Sequence, residues 1–157
     1  MRSMIDPRTP VLIGAGQRTY RRGPPPGPVA MLEEAALAAV SDAGLEPEAL
    51  RDADLVGVVG FTIDAGGDLA RLPAPRVPNP PGELAARLGA GPRRALYTHA
   101  GGNNPQALVN WAAERIAASE HHLALLCGAE FLGSLMKALK SGGDLSLYGG
   151  EEREAPE

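Results

Sequence analysis

Short unbroken apolar runs alternate along this chain with stretches whose apolar residues recur at helical spacing, and that alternation predicts most of its elements. The first run, Val11-Leu12-Ile13-Gly14-Ala15-Gly16, reads as a buried strand that turns sharply at its glycines. A polar, proline-rich loop follows over 18–27. From Pro28 to Ala43 the apolar positions Val29, Leu32, Ala36, Ala39 and Val40 form one stripe, with Glu33 and Glu34 outside it. Pro28 suits a first turn and Gly44 lies just past the end, so a helix is predicted over 28–43. Leu55-Val56-Gly57-Val58-Val59 is short, β-branched and free of charge, as expected of a second buried strand.

Residues 62–81 are rich in Gly, Pro, Asp and Arg without a sustained period, which predicts an irregular excursion of the functional or flexible kind. A short helix is expected over 81–88 from Leu84, Ala85 and Leu88, ended by Gly89. A strand follows over 95–98, then a helix over 104–118 with Leu108, Ala112 and Ile116 on its stripe and Trp111 beside it. Leu123-Ala124-Leu125-Leu126-Cys127-Gly128-Ala129 is apolar throughout and is expected to be a central strand. A last helix is predicted over 131–140, leaving 141–157 as a loose, glycine-rich, acidic tail. Strands alternating with helices imply right-handed crossovers, and hence an α/β fold: layered, with a mainly parallel mixed sheet and helices on its faces.

Composition narrows the function. The chain has 157 residues, 44% of them apolar, 22% charged, with 20 Gly and 15 Pro, which suits one folded unit with many sharp turns. A formal charge of −4 with scattered arginines argues against nucleic-acid binding. A single cysteine, Cys127, precludes an internal disulfide and a thiol cluster for zinc, and suits a reducing cytoplasm. The N-terminus carries an early acid and proline, Asp6-Pro7, with Met4 as an alternative start, and no run approaches the ~18 apolar residues of a membrane span. A soluble, unexported protein with no membrane contact is the expectation.

Candidate chemistry centres on Gly101-Gly102-Asn103-Asn104-Pro105-Gln106, a tight loop running straight into a helix. Unpaired N–H groups and the positive end of the helix dipole would converge there, a setting for a thiolate, a thioester oxygen or a phosphate. Asn103 or Asn104 can cap the helix and Pro105 fits its first position. The same residues also serve as a plain strand-to-helix turn in a crowded core. No Cys, Ser or Thr lies between Gly101 and Ala118, so the loop carries no nucleophile. Gly14-Ala15-Gly16 lacks the third glycine and the following helix of a dinucleotide fingerprint. Cys127 reads as an inert core thiol, and His99 as either a structural residue or a group that orients a carbonyl. His121 and His122 are adjacent and would point apart in a strand, so no shared metal is expected. Glu130 is placed to cap or pair with nearby backbone, with no acid–base partner in view.

The opening Val11–Gly16 run, the helix from Pro28, the Gly101–Gln106 loop with Ala112-Ala113 in its helix, and Leu125-Leu126-Cys127-Gly128-Ala129-Glu130 together resemble the N-terminal part of the thiolase superfamily. More narrowly, the pattern is similar to acetyl-CoA acetyltransferase-like proteins of the sterol-carrier-protein type, over most of the chain to about Lys140. The resemblance implies a thiolase-like domain over 1–140, belonging to a fold of two similar halves that handles acyl-CoA thioesters through a cysteine at the start of a buried helix. A coenzyme A thioester is then the substrate, and no tightly bound cofactor is implied. Counting back from Ala112-Ala113 and Ile116 puts the nucleophile position at Gly102, and Gly101 and Asn103 serve no better. The family's later histidine and second cysteine belong to a C-terminal half that this chain does not contain. The resemblance therefore implies a thioester pocket in which Gly102, Asn103 and the helix amides position the oxygen, with His99 as a helper. It also implies either a piece of a longer acyltransferase or a non-catalytic subunit completed by a homo- or hetero-oligomeric partner. A small nucleotide-binding module is the remaining alternative.

Overall fold

The computed structural model describes residues 5–21, 23, 25–151 and 156. The alternative start at Met4, two positions of the proline-rich loop (22 and 24) and most of the end of the acidic tail (152–155 and 157) lie outside the described residues. At the centre is a three-stranded sheet: β1 (Leu55–Val58), β2 (Arg94–Tyr97) and β3 (Ala124–Cys127), in the order β2-β1-β3. Both pairings are parallel, with Leu55 opposite Arg94 and Ala124, and Val58 opposite Tyr97 and Cys127.

Alternation along β1 divides its side chains between two layers. Val56 and Val58 join the main core with Leu32 and Ala36 of α1 (Pro28–Asp42) and Leu84 and Ala85 of α2 (Pro80–Leu88). On the other face, Gly57 leaves room for α3 (Asn104–Ala117): a Cβ there would stand 3.1 Å from both Leu108 Cδ1 and Leu126 Cδ2. Leu55, Leu108 and Ala112 are buried on that side. A helix layer thus covers each face of the sheet.

Local chemistry sets the helix ends. Pro28 starts α1, where a missing N–H costs nothing. Asn79 caps α2 by accepting from Gly82 N at 2.8 Å, and Gly89 closes it with φ 68, a conformation glycine adopts freely. The α4 helix (Leu132–Ser141) buries Leu135 and ends on Gly142. Phe61, Phe131 and Tyr148 join in a chain of ring contacts at 5.1 and 5.8 Å between centroids, each pair contributing about 1 kcal/mol. Tyr148 brings a short 3-10 turn (Ser146–Tyr148) of the C-terminal segment onto the core.

The excursion after β1 is irregular, as expected, and firmly tied. It makes 3-10 turns at Thr62–Asp64 and Gly67–Arg71 and buries Ile63 and Val77. Arg76 binds it together, donating to the carbonyls of Ala74 and Leu69 at 2.8 and 2.9 Å and pairing with Asp64 at 3.3 Å.

Two expectations are corrected. Residues 11–16 form no strand: β1 takes ladder bonds from β2 and β3, and the segment instead packs on α1 through Gly14 and Gly16. Val11 and Leu12 are 71% and 87% exposed. β3 is an edge strand rather than a central one. Its residues are apolar because helices cover both faces, a pressure that acts equally on edge and centre.

At the opposite end of the sheet, Asp54 locks three elements together. Its carboxylate accepts from Arg93 at 2.8 Å and from the amides of His122 and Leu123, and lies 3.4 Å from Nδ1 of the buried His121. Burial raises this carboxyl, yet the Arg93 guanidinium and the two amides outweigh it and hold Asp54 below its ordinary value. The two histidines thus serve this junction, His121 from within and His122 through its backbone.

Candidate functional site

Loops leaving the carboxyl ends of the three strands converge on one side of the molecule, the usual location of ligand sites in open α/β sheets. The turns after β1 and β2 meet backbone to backbone. Gly60 N donates to Thr98 Oγ1 at 3.1 Å, and a Cβ on Gly60 would lie 2.4 Å from the Thr98 carbonyl oxygen, so only glycine fits. Tyr97 at the end of β2 accepts from Phe61 N at 2.8 Å and donates to Asp64 Oδ2 at 2.7 Å. Burial, with Asp64 beside it, pushes the phenol well above its ordinary range. From the third loop, Glu130 accepts from Thr62 Oγ1 through one carboxylate oxygen and from Leu132 N at 2.7 Å through the other. Glu130 therefore caps α4 and joins it to the loop after β1.

The start of α3 is built without a side-chain cap from Asn103. Asn104 Nδ2 instead donates to the His99 carbonyl oxygen, and Asn104 N closes a turn onto Gly101 O at 3.1 Å. The first helical bond runs from Ala107 N to Asn103 O at 3.1 Å, and Pro105 has no N–H. Among the described residues, the amides of Gly101, Gly102, Asn103 and Gln106 have no acceptor within the protein. They gather at the positive end of the α3 dipole.

Of these residues, Gly101 and Gly102 line a groove of about 1080 Å³. Gly101, Gly102, Thr62, Cys127 and Glu130 stand at its loop end, and its apolar length runs between Ala35 and Ala39 of α1 and Leu108, Ala112 and Ile116 of α3. Of the sequence candidates, Gly102 lines the groove and a Cβ there would meet nothing within 4 Å. His99 and Asn103 are exposed beside it and are not part of its lining. Cys127 does line it, but burial pushes its thiol up to about 12, so it is protonated at neutral pH and a poor nucleophile. Neither Thr62 nor the Tyr97–Asp64 pair was visible as a site residue in the sequence, since 68 positions separate Thr62 from Glu130 and 33 separate Asp64 from Tyr97. No helix of the described residues is long and apolar enough to cross a membrane.

No family model matches the chain, and no curated protein does either. Among solved structures it is similar to a monomeric SCP2-thiolase like protein type 1 from Mycobacterium smegmatis, at 33% identity and a TM-score of 0.61. The match covers 80% of this chain and 24% of that protein, so the chain spans about a quarter of its length. The fold is accordingly thiolase-like, with the small parallel sheet and flanking helices of part of such a protein.

Proposed function

We propose that this chain is a thiolase-like protein of the sterol-carrier-protein type, within the acetyl-CoA acetyltransferase-like group, and that its groove binds acyl-CoA thioesters. The observation that carries this reading is the junction of two chemically distinct surfaces: unbonded amides at the start of α3 and an apolar groove leading away from them. The amides of Gly101, Gly102 and Asn103 would polarise the thioester oxygen while the acyl chain lies along Leu108, Ala112 and Ile116. His99, exposed beside the loop, is the helper. Gly102 offers no sulfur, so the chain positions a thioester without forming an acyl-enzyme of its own. The single, protonated Cys127 suits a reducing cytoplasm.

Titration calorimetry with dodecanoyl-CoA and with free coenzyme A tests the reading. Binding of the acylated form at least about tenfold tighter than coenzyme A supports it, since each buried methylene adds roughly 0.8 kcal/mol. Equal affinities, or no binding of either, overturn it. Acyl exchange from acetyl-CoA to a free thiol, measured in parallel, separates an active protein from a binding one.

A second reading, a non-catalytic subunit completed by a homologous or complementary chain, is favoured by the apolar side chains that border the groove. Val11, Leu12 and Val109 are 71%, 87% and 49% exposed, a grouping typical of contact surfaces. Sedimentation of the purified chain, alone and after mild-salt copurification, distinguishes the two.

A further inference from the structure

The groove is walled almost wholly by apolar side chains and glycines. Among the described residues that line it, Thr62, Cys127 and Glu130 carry the only polar side chains. All three stand at its loop end, and burial keeps the Cys127 thiol protonated. One hydroxyl and one carboxylate are left to do chemistry there. They are bonded to each other, with Thr62 Oγ1 donating to Glu130. A few polar groups converging in an otherwise apolar cleft are the usual mark of a reactive centre.

The sheet collects these groups from three loops. Val58 lies opposite both Tyr97 and Cys127, so the loops after β2 and β3 start on either side of the loop after β1, roughly 10 Å apart at two strand spacings. The middle loop touches both neighbours: a Cβ on Gly60 would lie 2.5 Å from Ala100 N, and one on Gly128 would lie 3.5 Å from Val59 Cβ. Thr62 belongs to the middle loop and Glu130 to the loop after β3. Gly101 and Gly102, whose amides have no acceptor among the described residues, belong to the loop after β2. A proton acceptor and a pair of oxyanion donors thus flank Thr62 at one end of the groove.

Glu130 has capacity to spare. Its two oxygens accept one bond each, from Thr62 Oγ1 and from Leu132 N at 2.7 Å. A carboxylate oxygen accepts about two, so each retains an acceptor site. Thr62 Oγ1 donates its hydrogen to Glu130 and keeps its lone pairs for a water. Glu130 is exposed, so water reaches the pair.

We infer that the chain hydrolyses acyl-CoA thioesters, with Glu130 as the general base and Thr62 as the residue that positions the attacking water. A water bonded to both loses a proton to Glu130 as its oxygen bonds to the thioester carbonyl carbon. The carbonyl oxygen takes the negative charge and is held by the Gly101 and Gly102 amides. When the carbon–sulfur bond breaks, its electron pair leaves with the coenzyme A sulfur, which takes the proton back from Glu130. The products are the free carboxylic acid and the coenzyme A thiol, and no acyl group is bonded to the protein. This activity rests on the acyl-CoA binding proposed above and adds the reaction that consumes the bound thioester.

Release of dodecanoate from dodecanoyl-CoA by the full chain, followed by chromatography beside titration calorimetry, tests this. The parent should release it well above the buffer rate. Glu130→Gln keeps an oxygen for Leu132 N and should slow release by about 100-fold with the affinity for dodecanoyl-CoA unchanged. Thr62→Val should slow it roughly tenfold, and Thr62→Ser should restore it. If Glu130→Gln does not fold, the Thr62 pair decides. Binding without release, or release from Glu130→Gln as fast as from the parent, overturns the hydrolysis and leaves the binding reading standing. An acyl adduct on the parent, seen by intact mass during turnover, overturns direct attack by water. If dodecanoyl-CoA does not bind, the binding reading fails and the hydrolysis falls with it.

Discussion

Asn104 ties the start of α3 to the end of the strand before it, donating through Nδ2 to the His99 carbonyl oxygen. The loop that carries Gly101 and Gly102 is thereby closed at both ends, with Asn104 N on Gly101 O inside it. Asn104→Ala should cost about 1 kcal/mol, or roughly 3 °C in Tm, because one hydrogen bond is lost where water can replace it. The larger effect is expected on acyl-CoA affinity, since a loosened loop no longer holds the free amides toward the groove. Melting curves and titrations of the variant compare the two losses.

Gly102→Cys should fold normally, because a Cβ there meets nothing within 4 Å and the backbone is not in the left-handed region. A thiol at the start of α3 gains from the dipole and the free amides. Its thiolate would attack the thioester carbonyl of dodecanoyl-CoA, forming an acyl–sulfur bond to the protein as the coenzyme A thiolate leaves. Intact-mass measurement should show the acyl adduct in the variant and none in the parent.

Cys127 should resist alkylation while the chain is folded. With its thiol pushed up to about 12 against an ordinary 9.0, its thiolate fraction at pH 8 falls by about 1000-fold. Iodoacetamide at that pH should label the chain rapidly in urea and very slowly in buffer. The same shift makes the folded state lose stability as pH rises from about 9 toward 12, where only the unfolded thiol ionises.

Asp54 works at the acid end. Its carboxyl is held below 3.8 in the folded state, so its contribution is fully present above about pH 4 and is lost as pH falls through the lowered value. Asp54→Asn keeps the shape but weakens the charge-assisted bonds to Arg93 and the His122 and Leu123 amides, at a cost of about 2 kcal/mol near neutrality. Urea unfolding of the two proteins from pH 7 to pH 3 should converge at the acid end.

Much of the fold was legible in the chain because periodicity reports burial. The stripe of Val29, Leu32, Ala36 and Val40 located α1, and the unbroken run at Leu55–Val58 located β1. Periodicity reports burial but not strand neighbours, which is why β3 read as central and Val11–Gly16 as a strand in the sheet. Gly14 and Gly16 have another use, the close approach of the chain to α1, which no local pattern distinguishes from a tight turn. At the site, the Gly101–Gln106 loop was visible as glycines before a proline-started helix. Its support was not: Gly60 against Thr98, Tyr97 against Phe61 and Asp64, and Thr62 against Glu130 all join positions far apart in sequence. Asn103 and Asn104 looked equally able to cap α3, and only the turn onto Gly101 decides that Asn104 bonds to His99.

The most direct test of thioester binding is an amide-resolved NMR titration of the labelled chain with dodecanoyl-CoA. The account predicts the largest shifts at Gly101, Gly102, Asn103 and Gln106, extending along Leu108 and Ala112 and absent with free coenzyme A at equal concentration. An unperturbed Gly101–Gln106 loop, or shifts confined to the far side of the molecule around Glu83 and Arg87, would contradict it.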